Sequence, residues 1–176
     1  MGPAPLNGPA FRRLMGRWAT GVSIVTAREF DRDAGLTVNA LLSVSLAPPS
    51  VLVSLTRDAD TTPLIESSGH FAVSFLAADQ RAVSERFARA LPSEEKFQEL
   101  RVHRGPAGLA LIDGSLAAIE CRVVSKTPAY DHLLLLGEVV YQEEGREAPP
   151  LLFFRSGYGE ETGGGLVRFP PPAPPP

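Results

Sequence analysis

The residue types best suited to chemistry are concentrated in one short stretch. Between Leu36 and Leu46 the side chains alternate, so that Thr37, Asn39, Ser43 and Ser45 share one face while Val38, Ala40, Leu42, Val44 and Leu46 share the other. A row of hydroxyl and amide groups either faces water or, turned inward, needs partners, because an unpaired buried polar group costs about 1–3 kcal/mol. A polar ligand would satisfy such a row, and so would solvent beside a half-exposed antiparallel strand. His132 opens a later strand-like run, and imidazole is the side chain that ordinarily changes charge near neutral pH. It is therefore a candidate hydrogen-bond or proton donor, or an ordinary structural histidine. His70 and His103 follow no metal-ligand spacing, and Cys121 sits in an apolar run where a buried, inert thiol is expected.

Other chemistries are excluded by their absence from the sequence. There is no HExxH helix, no GxxxxGK[ST] loop, no GxGxxG turn and no GxSxG elbow. Gly163, Gly164 and Gly165 follow no convincing strand, so they read as a hinge rather than a phosphate cradle. One cysteine allows neither an intrachain disulfide nor a multi-cysteine metal site, and it fits a cytoplasmic location. A formal net charge of −3 argues against nucleic acid as a partner. The longest apolar run, Leu133 to Leu136, is too short to cross a bilayer, and the first ten residues do not read as a signal peptide.

The elements that must position these residues are mostly strands. Phe11, Leu14, Met15 and Trp18 recur at helical spacing and predict an amphipathic helix from Phe11 to Ala19, stopped by Gly21. Val22 to Ala27 reads as a strand, followed by a polar hairpin loop from Arg28 to Ala34. Pro48 and Pro49 end the alternating strand, Val51 to Leu55 begins the next, and a short helix starts near Thr61 or Thr62 with Pro63 in its first turn. His70 to Leu76 is strand-like, and Asp79 to Ala88 reads as a helix capped by Asp79. Arg89 to Ala107 has little periodicity, whereas Ser115 to Ser125, Leu133 to Tyr141 and Leu151 to Arg155 are strand-like.

At 176 residues, 44% of them hydrophobic, the chain suits a single domain. We read residues 1–10 as a flexible N-terminus, 11–160 as the domain and 161–176 as a Gly- and Pro-rich disordered tail. Many strands on short loops predict a mainly β fold, an antiparallel barrel with added helices. The run Leu133 to Tyr141 is apolar on both faces of its strand, which a second subunit or a packed helix would cover.

Taken in order, GRWATGVSIVTA, GLTVNALLSVSLAPPSVLVSL, GHFAVSFL, RFAR, EKF, LAAIECRV and YDHLLLLGEVV resemble the flavin reductase-like family over Phe11 to about Tyr158. That resemblance implies an FMN-binding split β-barrel of antiparallel Greek-key type. It also implies a homodimer and hydride transfer from NADH or NADPH to FMN, with FAD possible as the flavin and a monooxygenase component as downstream partner. It places Thr37, Asn39, Ala40, Leu41, Ser43 and Val44 along the flavin ring and ribityl chain, and Ser54 and Arg57 towards its phosphate. Backbone and hydroxyl donors suit a ring that gains negative charge, and Arg57 offers a planar charged fork. Arg86 and Phe87 match a motif near the flavin, although Phe87 also shares a helix face with Val83 and suits a core. Lys96 and Phe97 match a KF pair near the nicotinamide pocket. His132 is implied as the catalytic residue beside flavin and nicotinamide, and Tyr130 stands where the family has glycine. An FMN-holding electron carrier without nicotinamide oxidation is the second reading, since a fold does not fix its chemistry.

Overall fold

The computed structural model describes residues 7–162 and 166–169, so the glycine hinge at 163–165 and the terminal prolines expected from the sequence lie outside the described residues. Asn7 accepts the Ala10 N–H on its side-chain oxygen at 2.8 Å and caps helix α1 (Gly8–Met15), which has a proline in its first turn and Gly16 as C-cap. The helix thus starts before Phe11 and stops before Trp18. Phe11, Leu14, Met15 and Trp18 are all exposed, which leaves their apolar stripe uncovered.

Strands β1 (Thr20–Gly21), β2 (Ser23–Glu29), β3 (Arg32–Val38), β4 (Leu41–Leu46) and β5 (Pro49–Thr56) precede helix α2 (Thr61–Ser68) and strand β6 (His70–Phe75). A single 3-10 turn, Ala78–Gln80, leads into α3 (Arg81–Phe87) and α4 (Ser93–Phe97). Then come β7 (Val102–Arg104), β8 (Ala110–Ile112), the long hairpin of β9 (Ala117–Ala129) and β10 (His132–Glu144), and β11 (Leu152–Phe154) and β12 (Gly157–Tyr158). Finally β13 (Glu160–Thr162) pairs with β14 (Leu166–Arg168) inside the stretch expected to be a tail. The main sheet is seven-stranded and antiparallel throughout, in the order β3-β2-β6-β9-β10-β5-β4.

β3 and β4 are consecutive in the chain and yet form the two opposite edges of this sheet. Three Cα steps join Val38 to Leu41, at most about 11 Å, so the edges converge there and the sheet rolls around its core. The Ser54 N–H donates to the Ala40 carbonyl at 3.1 Å and pins the crossing. The single strand expected from Leu36 to Leu46 is therefore two strands broken at Asn39 and Ala40. The break also shifts the side-chain phase. Val38 and Leu41, three apart, both pack on the main core, which an unbroken strand would forbid. In consequence Leu42, Val44 and Leu46 are 58%, 49% and 87% exposed instead of buried with Val38.

Other boundaries move for local reasons. The expected 28–34 loop is a two-residue tip, Phe30 and Asp31, because β2 and β3 pair out to Glu29 and Arg32 and the Arg28 guanidinium reaches Asp33 at 3.0 Å. Asp79 is not a helix cap. It pairs with Arg146, while the Gln80 side chain accepts the Ala77 N–H at 3.0 Å. The stretch without periodicity contains α4 and β7.

One core cluster, including Val25, Val53, Leu55, Ile65, Phe71 and Leu135, fills the inside of the rolled sheet. A second, with Val22, Ile24, Leu76, Phe87, Ile112 and Leu151, lies between the sheet and α3. Gly35 is required there, since a Cβ would meet the Phe87 ring at 2.6 Å.

Candidate functional site

Alternation along β5 and β10 decides which groups face out. Val51, Val53 and Leu55 and their counterparts Leu133 and Leu135 are buried, so Leu52, Ser54, Thr56, His132, Leu134 and Leu136 turn to the outer side. Cross-strand pairing aligns Leu42 with Leu52 and Leu136, Ser54 with Leu134, and Thr56 with His132. The result is an outward strip, apolar at its centre, with Ser54 and His132 at one end and Ala40 held against the Ser54 backbone.

His132 stands at the base of a two-residue hairpin tip formed by Tyr130 and Asp131. Its Nδ1–H donates to Asp131 Oδ1 at 2.8 Å, and this bond holds the Asp131 carboxyl below the usual carboxylate range. The tautomer so fixed leaves Nε2 without a protein partner among the described residues. Tyr130 adopts φ 56°, the left-handed conformation that glycine takes without cost. The Arg57 N–H donates to the Asp131 carbonyl at 3.0 Å, which places Arg57 beside this tip with its guanidinium exposed.

At the strand break a cavity of about 290 Å³ opens between the segment from Trp18 to Ser23, Asn39, Leu41 and Leu151. That is near the lower end of ordinary ligand pockets, roughly 300–1,000 Å³. Thr20 Oγ1 in its wall is buried without a hydrogen-bond partner, and Asn39, exposed at the rim, makes no side-chain hydrogen bond among the described residues. Ser23 is satisfied, donating to the Val38 carbonyl at 3.0 Å. Thr20 is the site residue that sequence reasoning passed over. The only signal was its threonine–glycine pair ahead of a strand.

The expected site residues separate into two groups. Asn39, Ser43, Ser54 and Arg57 keep their side-chain polar groups free of protein partners among the described residues. Ala40 and Val44 are exposed, while Leu41 packs against the core. Thr37, Arg86 and Phe87 serve to hold α3 and α4. Thr37 Oγ1 donates to the Ser84 carbonyl at 2.6 Å, Arg86 donates to the Gln98 carbonyl at 2.9 Å, and Phe87 is buried edge-on to Phe97 at 5.1 Å. Lys96, whose pKa burial pushes down, donates from Nζ to the Gly35 carbonyl at 3.2 Å.

The free donors and acceptors, the orphaned Thr20 hydroxyl and small residues that let backbone approach are what a flavin needs: hydrogen bonds along a polar ring edge and an open seat beside it. The profile of the flavin reductase like domain matches residues 15–162. The chain belongs to the flavin reductase-like family.

Flavin reductase-like relatives are similar over most of their length. The reductase component of 4-hydroxyphenylacetate 3-monooxygenase from Thermus thermophilus is 37% identical over 149 residues, 85% of this chain and 93% of that protein. An FMN reductase (NADH) of Agrobacterium fabrum is 36% identical over 157 residues, 89% of this chain and 88% of its own. Among solved structures, the Streptomyces globisporus NADH:FAD oxidoreductase in complex with NAD and FAD fragments superposes with TM-score 0.82 at 30% identity, covering 92% of this chain and 99% of that one. Among the described residues no helix is long and apolar enough to cross a membrane.

Proposed function

We propose that this flavin reductase-like chain oxidises NADH or NADPH and passes the hydride to FMN or FAD, supplying reduced flavin to a separate monooxygenase component. The observation that carries this reading is the set of polar side chains without protein partners among the described residues: Ser54, Arg57 and the Nε2 edge of His132 at one end of the outward strip, and Asn39 at the cavity rim next to Ala40. Several relatives are themselves reductase components of two-component monooxygenases or NADH-dependent flavin reductases.

Asn39, Ser43 and Thr20 would bind the flavin's polar edge, Ala40, Leu41 and Val44 would flank the ring, and Ser54 and Arg57 would hold its phosphate. Thr37, Arg86 and Phe87 support the seat by fixing α3 and α4 to β3. Bound flavin supplies the hydride-accepting ring. The protein's part is to hold the nicotinamide against that ring, at about 3–3.5 Å, with His132 orienting it through Nε2, or donating a proton from Nε2 when the imidazole is doubly protonated. The small cavity and the open outer strip would shield a bound flavin only in part on one chain. A second copy seated on Leu42, Leu52, Leu134 and Leu136 would cover the rest, giving a homodimer on a split barrel in the cytoplasm, with the domain at residues 11–160.

The test is the substitution His132→Ala. Turnover should fall by about 10²-fold or more, the ordinary contribution of a positioned acid or donor, while the dissociation constant for FMN stays within a few-fold of the parent. An unchanged rate removes His132 from the reaction.

A further inference from the structure

Tyr130 is held at a cost that the fold does not recover. Its φ of 56° is unfavourable for any side chain beyond glycine, asparagine or aspartate. Its ring is 99% exposed, so it neither joins a core cluster nor makes a ring contact or hydrogen bond among the described residues. A glycine would close the same two-residue tip without strain or exposed apolar surface. Its neighbours are residues to which the reading above gives flavin and nucleotide. Asp131 next in the chain orients His132, and Arg57, bonded through its N–H to Asp131, brings an exposed guanidinium, unpaired among the described residues, to the same tip. His132 lies half-buried on the strip, whereas Tyr130 stands clear of it at the rim.

We infer that Tyr130 is a specificity-determining residue whose ring stacks on the adenine of the incoming nicotinamide dinucleotide. This rests on the reductase reading above. A residue on the rim meets the half of a long ligand that projects beyond the reacting rings, and for NADH or NADPH that half ends in adenine. An aromatic face recognises any planar base, and stacking on a base changes affinity by about tenfold or more.

The experiment compares the parent with Tyr130→Gly, Tyr130→Asn and Tyr130→Trp, using NADH and reduced nicotinamide mononucleotide, which lacks adenine, first with FMN and then with FAD as the acceptor at fixed concentration. The glycine and asparagine variants should raise KM for NADH about tenfold with kcat nearly unchanged, leave KM for the mononucleotide alone, and weaken NAD+ binding by calorimetry in the same proportion. Tyr130→Trp should restore the parent value. Thermal midpoints should not fall in Tyr130→Gly, and Phe30→Gly, at the corresponding tip with φ 52° and 91% exposure, should leave KM unaltered. A KM for NADH unchanged in both variants overturns the inference. So does an equal loss with the mononucleotide, or a loss confined to FAD as acceptor, which would assign the ring to the flavin's own adenine. A parent with no turnover at all would instead sink the reductase reading, and the NAD+ dissociation constants would then decide the role of Tyr130 by themselves.

Discussion

Two histidines with the same chemistry have opposite tasks. His103 bridges two carboxylates, with Nδ1 at 2.7 Å from Asp113 Oδ1 and Nε2 at 2.8 Å from Glu143 Oε1. Both nitrogens must carry protons to make both bonds, so the bonds to Asp113 and then Glu143 raise its pKa. Because the folded value lies above the unfolded one, the stability it contributes is complete below about pH 6.5 and is lost as pH rises through the raised value. The melting difference between the parent and His103→Gln should therefore be largest near pH 6 and shrink towards alkaline pH. A difference that is flat with pH would show that the charge contributes nothing. His132, with one partner and one free nitrogen, is left available to a ligand, and the contrast between the two was invisible in a sequence that offers three histidines without context.

The strand around Asn39 shows what could and could not be read at the level of elements. Alternation, β-branched composition and the proline pair were enough to find β2, β5 and β6 and to mark Leu36 to Leu46 as strand, since each is a local property of about ten residues. The break at Asn39 and Ala40 has no local signal. It arises because one stretch must serve both edges of a rolled sheet, and that is decided by pairing with β2 and β5, remote in sequence. The phase slip then sent Thr37 under α3 and left Leu42 outside. In the same way the roles of Arg86 and Phe87 depended on where Gly35 and Gln98 lay. Gly35→Ala tests the element contact directly: with a Cβ only 2.6 Å from the Phe87 ring, overpacking should cost about 1–3 kcal/mol. Pairing it with Phe87→Leu should recover part of the loss in a thermal melt. Additive losses would mean that the two residues do not meet.

For the whole molecule, exposed Leu42 beside the half-buried Leu52, Leu134 and Leu136, together with the uncovered stripe of α1, forms the kind of contiguous apolar surface that marks an interaction site. Leu42→Glu puts a charge on the β4 edge of the strip, at a side chain that belongs to neither core cluster. Sedimentation should show a dimeric parent and a largely monomeric variant with weakened FMN binding, and a monomeric parent would remove the second copy from the account. Purified protein mixed with excess FMN or FAD and either NADH or NADPH should consume nucleotide, seen as falling absorbance near 340 nm, with flavin reduced one for one in the absence of oxygen. No consumption with either nucleotide and either flavin, from protein that still binds FMN, would contradict the reductase reading and leave a flavin carrier in its place.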